Sequence, residues 1–342
     1  MTSDSYDVVI IGGGPAGLGA ALTLSRARRR VLVVDAGRPR NAPAAHAHNY
    51  LGREGVPPLE LLAIGRDEVA GYGGEVRAGT VTSVTRLGPG GFRVAIGDST
   101  VEARRVLLAT GLVDDLPAIA GLADRWGRDV LHCPYCHGWE ARDQVVGIIG
   151  AGPASVHQAL LWRQWTDDVV LFANDVVELT EEDRTRLVAR GVVVVAGKVE
   201  RLVVVDDALA GVELADGSSV AVRFAVVLPV AHADNALLTT LGLHVIEQRM
   251  GTQPVGTVVP KSDPSGATGV PGVWVAGNAG DHRAQVIVSA ADGVMVGAQI
   301  NFDLVDEDTA RAVASHPFTP ELEREVCERV LGDRRHGIEP SV

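Results

Sequence analysis

Asp7-Val8-Val9-Ile10-Ile11-Gly12-Gly13-Gly14-Pro15-Ala16-Gly17 opens the first structural unit of the chain. Residues 8–11 form an apolar run of the kind that fills a parallel strand buried on both faces. Gly12, Gly14 and Gly17 let the backbone turn tightly and approach a pyrophosphate, while Pro15 and Ala16 begin a helix whose N-terminus faces that anion. An Ala/Leu-rich stretch carries the helix to about Ala27, and Val31-Leu32-Val33-Val34-Asp35 is the second strand. Its terminal acid, Asp35, is placed to accept from a ribose hydroxyl. A lone glycine pattern is weak evidence. Strand, glycine turn, helix, strand and acid in that order make a dinucleotide-binding unit.

The same pattern returns 138 residues later. Val145-Val146-Gly147-Ile148-Ile149 leads into Gly150-Ala151-Gly152-Pro153-Ala154-Ser155, then a helical stretch to about Trp165 and the strand Val169-Val170-Leu171-Phe172-Ala173. Two such units in one chain constrain the architecture far more than either alone. A backbone can keep this shape after losing its ligand, so the second copy speaks for the fold more than for a nicotinamide cofactor. Between the units, segments 76–84, 92–96 and 101–103 alternate like an antiparallel meander. Residues 106–111 read as a buried strand ending in Ala109-Thr110-Gly111, and 114–117 as a linker. After the second unit, 181–190 reads as a helix, and strands near 192–195, 199–205, 211–214 and 224–230 continue the sheet. Val273-Trp274-Val275-Ala276-Gly277-Asn278 is a late strand, and 284–303 a helix.

The chain has 342 residues, 46% hydrophobic and 22% charged, which fits about two globular domains. A net charge of −12 weighs against nucleic acid and anionic membrane surfaces. The acidic start, Met1 to Asp7, has no basic region of a secretory leader, and no apolar run reaches the ~18 residues of a membrane span. Three cysteines are too few for a secreted disulfide framework, which points to a reducing cytoplasm.

Two of the three cysteines lie in His132-Cys133-Pro134-Tyr135-Cys136-His137. Thiols at this spacing can close into a disulfide and reopen, and a Cys-x-x-Cys setting can lower a thiol pKa below its free value of about 8.5. Zinc is the main rival, since four potential ligands are present; neighbouring side chains diverge, however, and structural zinc sites join two separated pairs. Cys-Pro-Tyr-Cys also occurs in glutaredoxins, but this chain is too long for that fold alone. His46 and His48 lie in the irregular loop 41–58 and read as surface residues, Trp139 as packing, and Cys327 as packing or incidental.

Residues 12–17, Ala109-Thr110-Gly111, Cys133-Pro134-Tyr135-Cys136, residues 150–155 and residues 272–278, in that order, resemble the low-molecular-weight thioredoxin reductase family of flavoproteins over about residues 6–305. The resemblance implies an α/β fold of two Rossmann-like, doubly wound dinucleotide-binding domains, one inserted in the other. Residues 1–117 with 246–342 would bind FAD, and 118–245 would form an inserted NAD(P)-type domain carrying the cysteines. FAD contacts are implied at Gly12, Gly14, Pro15, Ala16, Gly17, Asp35, Asn49, Ala109, Thr110, Gly111, Gly277 and Asn278. Cys136 would lie against the flavin and Cys133 would exchange with the substrate sulfur. A homodimer is implied as well.

The chain departs from the family in three places. His137 stands where an Asp usually follows the second cysteine, and an imidazole with a pKa of about 6.5 suits proton transfer at neutral pH. His132 is a second candidate for that work. The arginine-rich motif for the NADPH phosphate is replaced by Phe172-Ala173-Asn174-Asp175-Val176-Val177-Glu178, whose acids would repel a 2′-phosphate. The late Gly-Asp becomes Gly277-Asn278, with Asp281 close enough to substitute. Together these look like the dithiol oxidase branch, which closes the disulfides of holomycin-type dithiolopyrrolones, gliotoxin and romidepsin. FAD would take two electrons from a small dithiol and dioxygen would take them from FAD. The alternatives are a thioredoxin-reductase-like enzyme fed by NADH or NADPH, and a non-enzymatic redox-sensing module.

Overall fold

The computed structural model describes residues 5–88, 91–233, 235–315 and 319–331. Two compact units divide the chain, Met1–Ala298 and Gln299–Val342. The first holds all the described sheets. The second holds the end of the helix Val286–Ser315 and the helix Pro320–Leu331, where Cys327 is exposed rather than packed. The tail beyond Asp308 lies partly outside the described residues.

The first sheet runs in the order Glu75–Ala78, Val31–Asp35, Ser5–Ile11, Ser99–Leu108, Phe92–Ile96, Val81–Arg86, with Val273–Val275 also paired to Ser99–Leu108. Its centre is parallel: Ile10 stands opposite Val33 on one side and Leu107 on the other. Val8, Val9 and Ile10 are fully enclosed, as the unbroken apolar run requires. The meander is antiparallel from Val81 onward, but Glu75–Ala78 pairs parallel with Val31–Asp35 instead of joining it. The helix Pro15–Arg26 follows the glycine turn with Pro15 at its first position. It crosses Val286–Ser315 at close range, because a Cβ on Gly293 would sit 2.0 Å from the Ala16 carbonyl oxygen.

The second parallel sheet orders Val193–Val195, Val169–Phe172, Val146–Ile149, Phe224–Val226 and Val130–Leu131. Its last strand delivers the chain to the cysteines. The strands Val199–Val205, Ala208–Leu214 and Ser219–Val220 do not continue this sheet; they form an antiparallel one of their own. The expected linker at 114–117 begins inside a strand, Val113–Asp115, which pairs with Val230–His232 in a four-stranded sheet completed by Ile246–Met250 and Gln253–Val258. No helix among the described residues is long and apolar enough to cross a membrane.

Candidate active site

Strand Val130–Leu131 ends at His132, and Cys133 caps a single helical turn, Pro134–His137. Gly138 follows that turn, and only glycine fits there, because a Cβ would strike the Pro134 carbonyl at 2.5 Å and the Trp165 ring at 2.7 Å. Tyr135 meets Trp165 edge-on, with ring centroids 5.6 Å apart. The turn brings the two sulfurs to 2.8 Å, with the Cys136 thiol donating to Cys133.

That contact sets the electrostatics. The Cys136 donor pulls the Cys133 thiol down to about 7, helped by the main-chain N–H groups of Cys136 and Tyr135 and by the Gln285 amide, against the opposing effect of burial. Cys136 is pushed up, because it donates to Cys133 and a second charge beside the first is unfavourable. The reduced pair therefore gives up its first proton from Cys133, near neutral pH, and keeps the other on Cys136. Burial lowers His137, and lowers His132 to about 4 with help from the Arg40 charge. Both imidazoles are therefore neutral at pH 7, and burial makes His132 the more resistant of the two to taking up a proton. Arg40 is itself held by Asp114 through paired bonds of 2.8 and 2.5 Å.

The loop 41–58 grips the turn from outside. His48 is not a free surface residue: its Nδ1 lies 2.6 Å from Glu54 and its Nε2 3.4 Å from Glu140, three residues past His137. Asn49 turns its side-chain amide to the Tyr135 carbonyl at 2.7 Å. A cavity of about 90 Å³ beside the turn is lined by His46, His48, Arg128, His137 and Glu140, among others. Trp139 is 66% exposed, so it packs less than its size suggests.

Gln285 reaches the thiols from the other side, its Nε2 3.9 Å from Cys133 Sγ. It lies just past the late turn Gly277–Ala279, which rests on the first glycine unit: a Cβ on Gly277 would sit 2.7 Å from Ala16 Cβ. Asp292 fixes this turn by accepting from the Gly277 N–H at 2.7 Å and from Lys261. Asn278 faces the Thr110–Gly111 bend, its Oδ1 3.4 Å from where a Gly111 Cβ would be. Asp281 is engaged by Arg283 at 3.2 Å. The Nδ1 of His282 is buried with no hydrogen-bond partner among the described residues. Gln285 and Asp292 escape sequence reading, since nothing local marks either.

The first glycine unit fits a dinucleotide. A Cβ on Gly12 would lie 2.2 Å from the Ala109 carbonyl oxygen and one on Gly17 only 1.9 Å from that of Gly12, so this turn exists only with glycine. Where a Cβ on Gly14 would stand, by contrast, no atom from elsewhere in the chain comes within 4 Å, and no side chain caps the helix. Asp35 accepts from the Gly37 N–H through one oxygen. Gly12, Gly14, Pro15, Ala16, Gly17, Asp35, Ala109, Thr110, Gly111, Gly277 and Asn278 thus belong to one neighbourhood, and Asn49 bonds the cysteine turn.

A family model described as pyridine nucleotide-disulphide oxidoreductase matches residues 6–293. The thioredoxin reductase sirT of Leptosphaeria maculans is 30% identical over 322 residues, spanning 89% of this chain and 96% of its own. The crystal structure of HlmI superposes with a TM-score of 0.84 at 49% identity, over 91% of this chain and 96% of that one. An oxidoreductase from Agrobacterium tumefaciens superposes with a TM-score of 0.82 at 36% identity, over 88% and 99%.

Proposed function

We propose, from the premise that the chain belongs to the pyridine nucleotide-disulphide oxidoreductase family, that it is an FAD-dependent dithiol oxidase. It closes two thiols of a small molecule into an intramolecular disulfide, with dioxygen as the final acceptor and hydrogen peroxide as the second product. Residues 1–117 and 246–342 would serve FAD, residues 118–245 would carry the cysteines, and the working form would be a homodimer.

Bound FAD supplies the two-electron acceptor. The chain supplies the sulfur exchange. A substrate thiolate attacks Cys133 Sγ of the oxidised pair; the Cys133–Cys136 bond breaks and Cys136 leaves as thiolate. The second substrate thiol attacks the substrate sulfur in the mixed disulfide and Cys133 departs. The substrate has lost two electrons and two protons, and the pair has gained the electrons. The thiolate left on Cys136 takes up one of these protons, and neutral His137 is the acceptor for the other.

One observation carries this reading: Gln285 lies 3.9 Å from Cys133 and only a few residues past the late turn that packs on Ala16, which supports an electron path from the pair to a flavin held there. The direction of flow is supported by Asn174, Asp175 and Glu178, where a reductase would present arginine to a nucleotide phosphate. Anaerobic mixing tests it. Dithiothreitol is expected to bleach the yellow enzyme and NADPH to leave it coloured; bleaching by NADPH alone would make it a reductase instead.

A further inference from the structure

The two glycine units are the same motif with different outcomes. Where a Cβ on Gly14 would stand, no atom from elsewhere in the chain comes within 4 Å; over Gly152, its counterpart 138 residues later, the amide of Gln253 sits on the backbone, 2.6 Å from where a Cβ would be. Gln253 comes from the strand Gln253–Val258 and is 8% exposed. Its Oε1 accepts from the Ala154 N–H at 3.0 Å and its Nε2 donates to the Ala151 carbonyl at 3.1 Å. Ala154 opens the second helix, Ala154–Trp162, and its N–H is one of the groups that would meet a pyrophosphate oxygen. The Ala151 N–H is likewise taken, by the Ser155 hydroxyl at 3.0 Å. At the end of the next strand Asn174 is tied to the Gly150 carbonyl at 3.0 Å and to the Val199 N–H at 2.9 Å.

We propose that Gln253 is a built-in plug: its amide occupies the position of a phosphate in the second cradle and keeps nicotinamide dinucleotides out. The amide suits the task chemically. Its oxygen imitates a phosphate acceptor toward Ala154, and its NH₂ satisfies a carbonyl that phosphate would leave bare or repel. A dinucleotide entering the cradle must break both bonds and displace a buried side chain. The inference deepens the reading given above, in that it assigns the residue that stops NAD(P)H from competing with the dithiol as electron source.

The test is titration of the FAD-loaded full chain with ADP-ribose, which has the pyrophosphate but no redox group, followed by calorimetry. The parent chain is expected to show no saturable binding at millimolar ADP-ribose. Gln253→Ala should bind at least about tenfold more tightly, as the removal of one or two competing hydrogen bonds allows. Gln253→Glu, whose carboxylate still accepts from Ala154 but repels phosphate, should not gain. Gln253→Ser carries the same expectation as the alanine variant should the latter fail to retain FAD. Equal affinity in the parent and the opened variant, or no gain in either opened variant, overturns the proposal. Bleaching by dithiothreitol is read separately: a chain that gains ADP-ribose yet is not reduced by dithiols would refute the oxidase reading and leave the plug standing.

Discussion

Asn49 and Tyr135 are joined across 86 residues by a 2.7 Å bond from the Asn49 side-chain amide to the Tyr135 carbonyl. Asn49 sits at a left-handed φ of +60°, which asparagine tolerates better than most residues. Its own N–H donates to Glu54 at 2.8 Å, and Glu54 also holds His48, which reaches Glu140. The loop thus clamps the cysteine turn at Tyr135 and at Glu140, on either side of Cys136.

Asn49→Asp separates this role from that of a flavin ligand. Aspartate keeps the size and the tolerance for positive φ but sets an acceptor against the Tyr135 carbonyl. One lost bond and the resulting repulsion correspond to a fall of about five- to tenfold in dithiol turnover, with FAD content per chain unchanged. The check is turnover normalised to the flavin absorbance. Lost FAD with normal turnover per remaining flavin would return Asn49 to the cofactor.

The Cys133 thiol owes its lowered pKa of about 7 first to Cys136 and only later to Gln285. Cys136→Ala should therefore move it upward toward the ordinary thiol range by more than Gln285→Leu does, and both should move it in that direction. The pH dependence of iodoacetamide alkylation of the reduced protein reads the value. A larger shift from Gln285→Leu would reverse the ranking of the two donors.

What could be read from sequence follows from how local each signal is. The two glycine units were legible because spacing, apolar runs and a terminal acid lie within about thirty residues of one another. The cysteine turn announced itself by spacing alone. The separate sheet of residues 199–220 was not legible, since valine alternation gives a strand but not its neighbours. The strand Val113–Asp115 is three residues long, too short to show a period, so 114–117 reads locally as a linker. Gln253, Gln285 and Asp292 are single polar residues whose meaning lies in partners that only the fold brings near: Gln253 bonds Ala154 from 99 residues away and Gln285 approaches Cys133 from 152. Asn49 shows the intermediate case: resemblance picks it out as a flavin contact, while its bond to Tyr135, 86 residues away, comes only from the fold.

Gly14 and Gly17 should fail differently. A methyl on Gly17 would overlap the Gly12 carbonyl oxygen at 1.9 Å, so Gly17→Ala must displace backbone and is expected to cost several kcal/mol, in the range of an overpacked core. Gly14 has a φ of −77° and open space, so Gly14→Ala should leave the fold intact, within about 1 kcal/mol of the parent. It should nevertheless release FAD on gel filtration, because the methyl points where the pyrophosphate approaches. Melting temperature and the flavin-to-protein absorbance ratio separate the two. Full FAD retention by Gly14→Ala would move the pyrophosphate away from this helix.

His132 makes acid stability a further readout of the site. Burial is the largest cause of its pKa of about 4; the charges of Arg40, His137 and His282 push the same way and Asp114 opposes them. In the unfolded chain the imidazole returns to about 6.5. Between these values the unfolded state binds a proton that the folded state refuses, so stability falls as pH drops from about 6.5 toward 4 and is unaffected by this group above that window. At pH 5 the loss amounts to roughly 2 kcal/mol. His132→Asn cannot take up that proton in either state, so its stability should change less between pH 7 and pH 5 than that of the parent, whatever its value at pH 7. Urea unfolding of both chains at the two pH values measures the difference directly. Parallel losses would mean that His132 titrates alike in the folded and unfolded chains, so that burial does not hold it neutral.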